Sequence, residues 1–211
     1  FVSAMIELKR PRPPEWLLDP ENWTRHYAPA QDLAAWVQSQ IIEEGALHNE
    51  EHAHLLMGAD IAFLWAAERY VKQGRHVLGQ TEEVLFRVGR WQRGRQEQQM
   101  REWFGRVPDW LITLDAEYCA NCSDAEFCAL VEHELYHIGQ EKDAFGAPAF
   151  TKDGFPKLFL RGHDVEEFVG VVRRYGIGQS DGMLAKLVSA ANSNPEVAQV
   201  DMARACGTCL A

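Results

Sequence analysis

The chain has 211 residues, 46% of them hydrophobic and 25% charged, which suits one sizeable core and no more than a small appendage. A formal charge of −10 argues against a general nucleic-acid binder, since phosphate binding needs clustered Lys and Arg. No run of about 18 apolar residues is present to span a membrane, and the start lacks the apolar stretch of a secretion signal. A cytoplasmic protein is expected, with its natural start at Met5 and residues 1–4 appended to it.

Residues 1–28 are rich in Pro, Trp and charge and read as an extended arm packed by Trp16 and Trp23. Residues 29–211 read as one domain. "PAQDLAAWVQSQIIEEG" predicts an amphipathic helix, with Pro29 near its start and Gly45 just beyond its end. His48, His52 and His54 follow; only the first two have the i, i+4 spacing of a ligand pair, so a helix packed near a site is the expectation. "DIAFLWAAERYV" (60–71) is an apolar run too short for a decisive period and fits helix or strand; a strand is preferred because "GRHVLGQTEEVLFRV" follows at hairpin distance and "DWLITLDAEYC" (109–119) reads as a further β-branched strand. Between them, residues 86–106 interleave six arginines (87, 90, 93, 95, 101 and 106) with Trp91, Trp103 and Phe104. That stretch reads as the solvated face of a hairpin and helix, the alternative being a phosphate-contacting patch. His26 and His76 read as surface or turn residues.

The richest segment is "SDAEFCALVEHELYHIGQ" (123–140). Ser123 and Glu126 form a capping box, and Phe127, Leu130, Val131, Leu135 and Ile138 make an apolar face, so a helix over 124–139 is predicted, ended by Gly139. Cys128 within it is expected to be a small core residue. His133 and His137 project from one face of that helix about a turn apart, so both imidazoles can reach one Zn²⁺ at ~2.0–2.1 Å. Glu134 cannot share their direction as a ligand but can reach a water on the same metal and act as general base. A catalytic zinc wants a third ligand and an open fourth position. The metzincin extension is excluded, because Gln140 and Asp143 stand where it requires Gly and His. "LRGHDVEEFVGVVRRYG" offers His163 first, with Glu166 or Glu167 as alternatives, on one face of a second helix expected to begin near 163. Carboxylates not used as ligands would orient the imidazoles.

"EHELYHI" followed by "GHDVEEF" resembles the putative phage metallopeptidase family, and the likeness extends through "HAHLLMGADIAFLW" and "GRHVLGQTEEV" to cover most of residues 45–175. The chain is more distantly similar to SprT-like proteases. The resemblance implies zinc ligation by His133, His137 and His163, catalysis by Glu134, a peptide or protein substrate of the bacterial host or phage, and a place in the host cytoplasm. The fold expected is α+β, a compact minimal zincin-like metalloprotease with a small sheet, an active-site helix and a ligand-bearing second helix. Peptide-bond hydrolysis by zinc-activated water follows, with Tyr136 or Tyr175 as candidate oxyanion donors and the strand 109–119 as the place for a substrate to pair by edge addition. The competing expectations are a non-catalytic zinc-stabilised binding or effector protein and a nucleic-acid-associated protein using residues 87–106.

Five cysteines fit a reducing compartment better than a disulfide framework. Cys119 and Cys122 in "CANC" and Cys206 and Cys209 in "CGTC" have the paired spacing of a closed zinc–thiolate site. A second, structural zinc there would tie the C-terminal segment back to the start of the motif helix, the alternatives being separate redox-active pairs or disulfides and unlinked thiols.

Overall fold

The computed structural model describes residues 9–165, 169–200 and 205–208, without the side chains of residues 171, 205 and 206. The chain folds around one mixed sheet in the order β1-β2-β5-β4-β3, with β8 added to β4, and a separate two-stranded β6–β7 sheet beside it. In chain order the elements are β1 (Tyr27–Pro29), α1 (Gln31–Val37), β2 (Ile61–Ala66), β3 (Val71–Lys72), β4 (Arg75–Glu83), α2 (Arg90–Phe104), β5 (Trp110–Asp115), α3 (Ala116–Asn121), α4 (Asp124–Tyr136), β6 (Ile138–Gln140), β7 (Leu158–Leu160), α5 (Val169–Tyr175), α6 (Met183–Ala191) and β8 (Ala205–Cys206). The α+β class read from the sequence is the one observed.

β5 is central because its run "WLITL" is apolar on both faces. Trp110, Ile112 and Leu114 enter the main core with Phe63, Trp65, Phe127, Val131 and Leu135, whereas Leu111 joins a smaller core with Met100 and Phe104 of α2. β5 pairs in parallel with β2 and antiparallel with β4, so both its edges are taken. Edge addition of a substrate to the strand 109–119 is therefore ruled out. That strand also ends sooner than expected, since Asp115 caps α3 through Tyr118 N at 2.6 Å.

The predicted helix from 29 is α1, which widens into a π turn over Gln38–Ile42. The Arg-rich stretch holds one helix, α2, preceded by an irregular segment with Arg87 and ended by Gly105, whose φ of 73° places it in the left-handed region. Arg93, Glu97 and Arg101 pair along its exposed face, and Arg106 grips Asp60. The arm before β1 is mostly irregular, with one 3-10 turn at Glu15–Leu18 that sends Leu17 into the main core. Arg10, buried, donates to the Cys119 and Cys122 carbonyls at 2.8 Å each and to Asp124 at 2.5 Å, fastening the arm to the entry of α4. Among the described residues no helix is long and apolar enough to cross a membrane.

Candidate metal centre

α4 begins as the sequence predicts: Ser123 accepts from Glu126 N at 3.2 Å, and Glu126 accepts from Ser123 N at 2.8 Å. It ends earlier than predicted, at Tyr136. His137 is its C-cap, and Gly139 lies inside β6 instead of terminating the helix. The helix stops because the chain turns at once to pair Ile138 with Leu160 and Gly139 with Phe159.

This early turn supplies the third histidine. β7 ends at Leu160, and His163 lies three residues on, in an irregular segment rather than in the expected helix; the next described helix, α5, starts at Val169. Pairing of β6 with β7 brings that segment back over α4. The three rings stand in a nearly equilateral triangle, with centroids 5.1 Å apart for His133 and His137, 5.0 Å for His133 and His163, and 5.2 Å for His137 and His163. One nitrogen of each lies within 4.8 Å of the others, a group that could hold a metal ion. Glu166 and Glu167, the alternative third ligands, lie outside the described residues.

His137 is 2% exposed, and its Nδ1 lies 2.7 Å from the Arg161 carbonyl. A carbonyl only accepts, so Nδ1 carries the proton and Nε2 presents a lone pair, the tautomer a metal ligand requires. The Arg161 N–H returns a bond to the His137 carbonyl at 2.7 Å.

Glu134 is fully buried. The Thr81 hydroxyl, 53 residues away in sequence, lies 2.8 Å from Glu134 Oε2 and 2.9 Å from the Glu134 carbonyl. Gly79, next on the same face of β4, leaves room for the other carboxylate oxygen; a Cβ there would lie 2.5 Å from Oε1. Sequence reading missed both residues. A glycine inside the strand pattern "HVLGQTEE" is the one signal of such a close approach.

The remaining predicted residues fall elsewhere. His52 is fully buried in the 3-10 turn Glu50–Leu55, its Nε2 3.4 Å from Glu132 and its ring 4.6 Å from that of Tyr136, so the segment does pack beside the site without joining it. Burial raises the Glu132 carboxyl, but bonds from His52 and Asn49 outweigh it and hold the pKa below its ordinary value. His54 Nε2 contacts the Ile138 carbonyl at 2.6 Å. The Tyr136 hydroxyl is engaged by Glu51 and by Asn49, which directs it to that turn and away from the histidines. Tyr175 is 74% exposed on α5. His26 is exposed beside the Trp23 carbonyl, while His76 lies 3.1 Å from the buried Asp115. Cys119 is a core residue whose thiol pKa is pushed up by burial and by neighbouring Cys122; burial also raises Cys122, and lifts Cys128 to about 11. Cys209 and the Cys206 side chain lie outside the described residues, so the four-cysteine grouping does too.

An α+β chain that gathers three imidazoles around a His-Glu-x-x-His helix belongs with proteins able to hold a metal. The particular family is given by a family model: that of the putative phage metallopeptidases matches residues 26–192, and the chain belongs to that family. No curated protein and no solved structure gives a significant match. Membership implies a hydrolase that uses a metal and takes a peptide or protein as substrate.

Proposed function

We propose that the protein is a zinc peptidase in which His133, His137 and His163 hold the metal and Glu134 is the general base. The observation that carries this reading is the convergence of His163 on the helical pair. Its Nε2 lies 3.2 Å from that of His133, close to the edge of about 3.3–3.4 Å of a tetrahedron with zinc–nitrogen bonds of ~2.0–2.1 Å. An all-imidazole donor set on a closed-shell, tetrahedral ion favours zinc over the oxygen-seeking cations.

When bound, zinc would supply Lewis acidity, lowering the pKa of a coordinated water and polarising the scissile carbonyl. The chain's own part is positional. Glu134 accepts a proton from the attacking water and delivers it to the leaving amine, the two tasks expected of one base. Thr81 fixes the carboxylate for both, since its hydroxyl can donate to Oε2 or turn to the Glu134 carbonyl. Arg161 sets the His137 tautomer through its carbonyl. With β5 internal, the outer edge of β4 at Gly79–Thr81, beyond its short pairing with β3 and adjoining Glu134, is where an extended substrate would pair. Action inside a bacterial cell on a host or phage protein completes the proposal.

The test is Glu134→Gln, assayed on labelled casein with zinc measured by elemental analysis. Cleavage should be lost with zinc retained. An effect that survives the substitution with zinc still bound would favour a non-catalytic binding protein.

A further inference from the structure

Resting on the peptidase reading, we infer that the segment Ala205–Thr208 occupies the place of an extended peptide on the outer edge of β4 and competes with substrate for it. In the antiparallel pair with β5, Gly79 faces Leu114 and Thr81 faces Ile112. The N–H and C=O groups of both Gly79 and Thr81 are turned outward, as their partners show: Gly207 N donates to the Gly79 carbonyl at 2.9 Å. Thr81 N donates to Thr208 Oγ1 at 2.7 Å, and that hydroxyl donates to the Thr81 carbonyl at 3.0 Å. These are the same two residues whose side-chain face touches Glu134. A peptide seated on this edge therefore lies one strand away from the base.

The seat is shaped for its occupant. Gly207 is buried, and a Cβ on it would meet Val77 Cγ1 at 2.8 Å and Gln80 Oε1 at 2.9 Å. Lys72 Nζ holds the Gly207 carbonyl at 3.2 Å, and β8 runs parallel to β4 with Ala205 against Val77 and Cys206 against Gly79. A tethered occupant acts at an effective concentration on the order of mM, so the edge must be vacated before a free peptide can use it.

Binding of fluorescein-labelled casein, followed by polarisation, tests this in a Glu134→Gln background where turnover cannot interfere. Thr208→Val and Gly207→Leu together remove the segment's hold. If the segment is seated nine-tenths of the time, casein should bind about tenfold tighter to the released protein, because apparent affinity scales with the open fraction. The Thr81 amide should then exchange hydrogen faster, and a synthetic peptide of residues 201–211 added in trans should displace the casein. Unchanged affinity despite faster exchange, unchanged exchange, or no casein binding to the released edge would each overturn the inference. Cleavage of the same casein by the wild-type chain is scored separately, so failure of the peptidase reading is seen on its own.

Discussion

The two halves of the candidate centre are built differently. His133 and His137 stand on and at the end of a helix fixed by a capping box at one end and by Phe127, Val131 and Leu135 along its length. His163 is exposed on an irregular segment and reaches the pair only because β6 and β7 close over it. Helical ligands are preorganised by local sequence, whereas the third depends on a strand pairing whose members are separated by a long loop. The same metal would then be held by one rigid wall and one adjustable arm.

The largest effect that would sharpen this contrast is loss of a wall ligand. His137→Ala should abolish zinc binding and activity, and His163→Ala should bind zinc more weakly while leaving α4 intact, as read by elemental analysis and circular dichroism. Equal and complete loss of fold in both would erase the distinction between wall and arm. Thr81→Val removes the hydroxyl that bonds Glu134 Oε2 and should cost about 1–3 kcal/mol in urea denaturation, with Thr81→Ser recovering most of it. Gly79→Ala should cost a similar ~1–3 kcal/mol by overpacking against the carboxylate. Ser123→Ala weakens the wall at its capped end by about 0.5–2 kcal/mol, visible as a lower midpoint with an unchanged slope.

The smallest expected effect lies outside both halves. Burial raises the pKa of Asp115, which also receives the Tyr118 N–H and has His76 beside it. A carboxyl raised on folding favours the native state at low pH, and that contribution declines as pH rises from the unfolded-state pKa through the folded one. Asp115→Asn keeps the cap acceptor and should flatten this part of the stability profile, measured as urea midpoints between pH 3 and pH 7.

What the sequence revealed follows the same division. The cap, the apolar face and the i, i+4 histidines of α4 are local patterns, and each was readable residue by residue. His163 was readable as a residue type in a suggestive place, but its setting was not, because the turn at His137 into β6 is dictated by pairing with β7. The helix from 29 and the β5 strand had clear apolar patterns, whereas the run at 60–71 fitted helix or strand and was resolved only by the spacing to its neighbour. The order of strands did not: nothing local in "WLITLD" says that it lies between β2 and β4, so the edge nearest the base was misplaced. Thr81 was invisible for the same reason, since its bond to Glu134 spans 53 residues.

The exchange between Arg161 and His137 carries a consequence for mutational mapping. Both of its bonds are made by the backbone of residue 161, one through N–H and one through C=O. Alanine scanning would return silence at that position, because the guanidinium, bonded to Asp164, has no part in either bond. Proline, which deletes the amide hydrogen, would break the bond to the His137 carbonyl and leave the one to Nδ1. A residue can thus set the tautomer of a ligand ring through its backbone while its side chain is free to drift in sequence.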